Sequence, residues 1–179
     1  MEKFVALLRG INVSGRNKVP MAELRALAED LGLADVQTYI QSGNLIFRSA
    51  KAAGLLEERL EAAIADRFGL RIPVISRSAS QWPTYAEANP FPEAAEAEPN
   101  RLMLMLSKLP PVGGAEAALK ERAGNGEHVK LVGDALWVHF PSGAGTSKLS
   151  PTLIDRLVGS PVTARNWRTV LKLQEMLAT

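Results

Sequence analysis

The chain has 179 residues, 46% of them hydrophobic and 22% charged, with 21 basic against 19 acidic side chains and a formal net charge of +2. This is the make-up of an ordinary globular protein, with enough chain for one domain or two small ones. There is no cysteine, which excludes disulfides, thiolate catalysis and cysteine-ligated metal centres, and a cytoplasmic location is expected.

The pI near 9.0 comes from a near-balance of charges, so a bulk field for nucleic acid is not expected and any basic site is local. The opening Met-Glu-Lys-Phe lacks a long apolar signal core, and no apolar run approaches a membrane span, so no membrane association is expected.

In chain order, Phe4 to Arg9 reads as a strand. Met21 to Leu31 reads as a helix with Leu24, Leu27, Ala28 and Leu31 on one face and Gly32 as its stop. Val36 to Gln41 and Leu45 to Arg48 read as strands around the turn Ser42-Gly43-Asn44. Leu55 to Phe68 is a second amphipathic helix ended by Gly69, and Ile72 to Ser76 a fourth strand. A short helical stretch near Ser78 to Glu87 leads into Asn89-Pro-Phe-Pro-Glu-Ala-Ala-Glu-Ala-Glu-Pro99, whose prolines and acids predict a boundary or an irregular connector.

The pattern then repeats. Arg101 to Ser107 is a strand, Gly114 to Ala123 a helix, and Val129 to Val132 with Ala135 to Phe140 a hairpin around Gly133-Asp134. A helix follows to Val158, starting at Thr146 or at Pro151 with Ser150 as its cap. Pro161 to Ala164 is a short last strand and Asn166 to Leu177 a closing helix. The fold class is therefore α+β, two tandem ferredoxin-like βαββαβ plaits with a C-terminal helix: 1–88 the first plait, 89–100 the connector, 101–179 the second. Phe4-Val-Ala-Leu-Leu8 and Leu102-Met-Leu-Met-Leu106 are apolar at every position, so both faces of these strands are expected to be buried, by packing on each other, by the extra helices or by a partner chain.

Four segments have the make-up of binding elements. Arg9-Gly-Ile-Asn-Val-Ser-Gly-Arg-Asn-Lys-Val-Pro20 lies between a strand and a helix start, where free N–H groups and a partial positive charge suit an anion. In it Gly10 and Gly15 allow close backbone approach, Asn12 and Asn17 offer amides, and Arg9, Arg16 and Lys18 offer charge; the competing reading is a long turn with solvated bases. Pro141-Ser-Gly-Ala-Gly-Thr-Ser-Lys148 follows the logic of a phosphate loop through Ser147 and Lys148, but its spacing does not match the P-loop, and a flexible turn is the bland alternative. Thr163-Ala-Arg-Asn-Trp-Arg-Thr-Val-Leu-Lys172 places Arg165, Arg168 and Lys172 at helical spacing, with Thr163 a candidate cap and Asn166 beside Arg165 near the helix start. Gln41 and Asn44, in Tyr39-Ile-Gln-Ser-Gly-Asn44, are weaker ligand candidates, since that turn explains itself.

Other chemistries leave no trace. The two histidines, His128 and His139, have no metal-ligand spacing and read as structural or surface residues, with a general-base role for His139 left open. The aspartates at 30, 35, 66, 134 and 155 do not cluster, no serine-hydrolase elbow is present, and the RNA-recognition aromatics are missing. No metal site is expected and no motif names a cofactor.

Taken in order, the first loop through Met-Ala-Glu-Leu-Arg25, Tyr39-Ile-Gln-Ser-Gly-Asn44, Ser147-Lys-Leu149 and Thr163-Ala-Arg-Asn-Trp-Arg-Thr-Val170 closely resemble a bacterial family, domain-of-unknown-function family 1697 (SP0830-like), over nearly the whole chain. The common form of its first motif has Gly where this chain has Ser14. The resemblance implies two α/β plaits in one compact chain and implies no activity. The functional expectation is a protein that binds an anionic or phosphate-bearing small molecule at a basic cleft formed by the Arg9–Pro20 loop, the Gly143–Lys148 loop and the Arg165–Trp167 motif, as a monomer or homodimer. The alternatives are an enzyme acting on a phosphorylated substrate there, with His139, Ser147 or Lys148 in the chemistry, and a nucleic-acid or protein-interaction module, against whose nucleic-acid form the balanced charge and missing aromatic platform argue.

Overall fold

The computed structural model describes residues 1–179. Strand β1 (Glu2–Leu8), helix α1 (Met21–Asp30), strands β2 (Ala34–Tyr39) and β3 (Asn44–Ser49), helix α2 (Ala53–Phe68) and strand β4 (Val74–Ser78) form the first βαββαβ set. Two short helices, α3 (Trp82–Glu87) and α4 (Pro92–Ala97), follow. The second set is β5 (Leu102–Ser107), α5 (Ala115–Arg122), β6 (His128–Val132), β7 (Ala135–His139), α6 (Pro151–Val158) and β8 (Val162–Asn166), and α7 (Trp167–Ala178) closes the chain. The sheets are antiparallel, ordered β2-β3-β1-β4 and β6-β7-β5-β8. Both are ferredoxin-like plaits, as the pattern of elements predicts. The chain divides into two compact units, Met1–Pro83 together with Leu173–Thr179, and Thr84–Lys172.

Two segments differ from the sequence reading. The Pro/acid-rich stretch is not irregular throughout: Pro92 opens α4 in its first turn, where a missing N–H costs no helix bond, and the Ala/Glu run continues it. The last strand also runs two residues beyond Ala164, because Arg165 and Asn166 pair with Leu104 and Met103. Arg165 therefore lies on a strand and not on a helix face with Arg168 and Lys172, and the cap of α7 is Asn166, whose Oδ1 accepts from Thr169 N at 3.0 Å, while Thr163 is buried within β8.

The apolar central strands are buried on both faces. Phe4, Ala6 and Leu8 pack with α1 and α2 residues such as Leu24, Leu27, Leu60 and Ile64. Val5 and Leu7 point to the other face and are equally inaccessible. Lys3 shares that face, and its Nζ donates to Met176 O at 2.7 Å, which brings the end of α7 onto it. In the second unit, Met105, Leu136 and Val138 meet Leu119, Ile154 and Val158. On the opposite face the 84–100 segment folds back: Glu98 bonds His139, Phe91 packs on His128, and the Tyr85 hydroxyl donates to Asp134.

Edge strands β4, β6 and β8 receive carboxylates from neighbouring helices. Glu57 and Glu61, one turn apart on α2, accept from Ser76 N (2.6 Å) and Val74 N (2.9 Å) of β4. Asp155 of α6 accepts from Val162 N of β8 (2.9 Å), and Glu116 of α5 from Leu131 N of β6 (2.8 Å). These four edge N–H groups, which if unpaired would invite another chain, are satisfied internally. No helix is long and apolar enough to cross a membrane.

Candidate functional site

The Arg9–Pro20 loop is a small hairpin. Asn12 N donates to Asn17 O (3.0 Å) and Arg16 N to Val13 O (2.9 Å). The turn between them is made by Ser14 and Gly15, both at positive φ (51° and 73°), the hand that matches the twist of a two-residue hairpin. Asn12 and Asn17 flank it at φ 53° and 51°. Asparagine tolerates this region because its amide bonds locally, and here both amides do so. Asn17 Nδ2 donates to Gly10 O (2.9 Å), and Asn12 pairs with both backbone groups of Val19, accepting from its N (2.9 Å) and donating to its O (3.0 Å). The loop is thus braced by its own asparagines, whose amides are engaged within the protein.

A second turn locks against it. Asn12 Nδ2 also donates to Gln41 O (2.8 Å) and approaches Gln41 Oε1 (3.4 Å). Gly43, at φ 86°, lies so close to Ile11 that a Cβ there would stand 2.6 Å from Ile11 Cδ1. Asn44 is buried and donates to Tyr39 O (2.9 Å) and Ser42 Oγ (3.2 Å), so it shapes the turn as its sequence reading allowed. The first and fourth motifs are therefore one structural piece. Arg16 and Lys18 are exposed on it, Arg9 is half-buried at its root with its N–H given to Pro73 O, and α1 begins beside it at Pro20 with no side-chain cap.

In the second unit, the Gly143–Lys148 loop is a single 3₁₀ turn, with Thr146 Oγ1 donating to Ser142 O (3.0 Å). Ser147 Oγ donates to Glu127 Oε1 (2.6 Å) and accepts from Leu149 N (3.1 Å), so it ties two loops together. Burial pushes the Glu127 carboxyl up, but the bonds from Ser147 and Asn125 N and the nearby charge of Lys148 bring it below the usual carboxylate value. Lys148 is exposed, its stem beside Gly124. Ser150 caps α6 through Leu153 N, as read from sequence.

Arg165 is buried, with Nη1 on Thr163 Oγ1 (2.7 Å) and Ala164 O (2.8 Å), and burial draws its guanidinium down to about 10. Trp167 packs against Trp137, and Arg168 is exposed on the first turn of α7. The sequence reading missed an arrangement at the two histidines. His128 and His139 are register partners, their rings stack at 5.9 Å and 12°, and Glu98 bonds the second. A signal was present: both lie equally far from the Gly133-Asp134 turn, which makes them direct cross-strand neighbours.

Comparison with known proteins agrees with this architecture. A solved structure described as the conserved bacterial protein SP0830 from Streptococcus pneumoniae is 28% identical, superposes with a TM-score of 0.78, and is matched over 100% of this chain and 99% of that one. No curated protein matches the chain. The family model described as protein of unknown function (DUF1697) matches residues 1–137, and with that match the chain belongs to this family.

Proposed function

We propose that the protein binds a phosphate-bearing or otherwise anionic small molecule at the paired Arg9–Pro20 and Tyr39–Asn44 loops. The supporting observation is where backbone strain is concentrated: of the five non-glycine residues at positive φ, four (Asn12, Ser14, Asn17 and Ile40) lie in these two loops. Ile40 is the least expected, since a β-branched residue resists that region. Strain of this kind costs of order 1–3 kcal/mol per residue and tends to persist where a fixed backbone serves a site. The loops' internal bonds hold Arg16 and Lys18 on an ordered frame next to the uncapped start of α1, where an anion gains from both charge and backbone N–H groups. Lack of cysteine is consistent with our placing this activity in the cytoplasm.

A thermal-shift screen of nucleotides and sugar phosphates tests the reading. A true ligand at 100 times its dissociation constant adds about 2.7 kcal/mol of stability. The double variant Arg16→Ala/Lys18→Ala should unfold at the wild-type temperature without ligand and lose the ligand-induced rise. If no anion raises the unfolding temperature, or if the double variant responds as the wild type does, the reading is wrong.

A further inference from the structure

Between α4 and the β6–β7 hairpin lies an open cleft of about 570 Å³, within the range of small-molecule sites. Its walls are aromatic. The His128 and His139 rings stack at 5.9 Å, and Phe91 lies 6.3 Å from His128, tilted by 47°. Its lining charges are acidic: Glu93 and Glu98 line it and no lysine or arginine does, although Arg101 Nη1, outside the lining, stands 3.7 Å from Glu98 Oε1. Glu98 Oε2 sits 2.7 Å from His139 Nε2. A carboxylate only accepts, so Nε2 carries the proton and the ring plane is fixed. Glu93 is exposed on the first turn of α4.

We propose that this cleft binds a small organic cation of the alkylammonium class. Its charge would face Glu93 and Glu98, and its carbon substituents would lie on the ring faces of Phe91 and His128. Ring faces and carboxylates both attract a soft, weakly hydrated cation. An anion would meet two carboxylates. A metal ion would need converging ligands, and no group of three or more His, Cys, Asp or Glu side chains is placed to hold one. The proposal is independent of the loop reading above, because its residues all belong to the second unit.

The chain has only two histidines, so their imidazole C–H resonances report on the cleft without overlap. Choline is titrated against its neutral isostere 3,3-dimethyl-1-butanol while these signals are followed. Saturable shifts of both rings are expected with choline, with affinity about tenfold above that for the neutral alcohol. Glu93→Gln, a surface change that keeps the fold, should weaken choline severalfold, and Phe91→Ala should abolish the shifts. If choline gives no saturable shift, if the alcohol binds equally well, or if Glu93→Gln leaves affinity unchanged, the proposal is overturned.

Discussion

Ser14 occupies a backbone position that suits glycine, at φ 51° on the hairpin tip beside Gly15. A left-handed conformation costs a non-glycine residue roughly 1–2 kcal/mol, while glycine costs up to about 1 kcal/mol in unfolded-state entropy. Ser14→Gly is therefore expected to stabilise the protein by about 0.5–1 kcal/mol, read as a higher urea midpoint with an unchanged slope. A midpoint that stays or falls would mean that the serine side chain offsets the strain. The loop's asparagines show where reading a sequence stops. Gly, Asn and base content marked the segment as unusual, yet whether an amide faces a ligand or its own backbone depends on partners far along the chain. Asn12 meets Gln41, 29 positions on, and no local pattern carries that pairing.

The strands and helices were legible because hydrophobic periodicity is a local signal. The strand ends at Arg165 and Asn166 were not, since those residues are held in β8 by pairing with β5, which overrides their helical spacing. The carboxylates that close the sheet edges were also invisible: on a helix they read as solvated polar positions. Glu57 is only 8% exposed and accepts from the amide of Ser76 on edge strand β4. Removing an acceptor from a buried donor costs about 1–3 kcal/mol, whereas a substitute acceptor retains most of the bond. Glu57→Ala should lower stability by that amount and speed hydrogen exchange at Ser76, and Glu57→Gln should lose less than half as much. Equal losses for the two variants would show that packing or charge, and not the bond to the strand, is what Glu57 supplies.

Over the whole molecule, the chain's two ends belong to one unit. Leu173–Thr179 groups with Met1–Pro83, although the residues before it in α7 group with the second plait. Lys3 donating to Met176 O fastens this return, with a cation at a helix C-terminus where the macrodipole favours it. Val5 and Leu7, on the same face as Lys3, are buried, so a strand apolar at every position is compatible with a plait. Leu173 is fully buried, and truncating such a leucine costs roughly 3–5 kcal/mol. Leu173→Ala should therefore destabilise the first plait, even though the substituted residue is nearly 170 positions from β1. Native-state hydrogen exchange separates the outcomes. Amides of β1 and β4 should lose protection while those of β5 and β7 keep more of theirs, because local opening follows the contacts removed. Protection lost in β5 and β7 with β1 unchanged would assign Leu173 to the second plait and break the link between the terminal helix and the first strand.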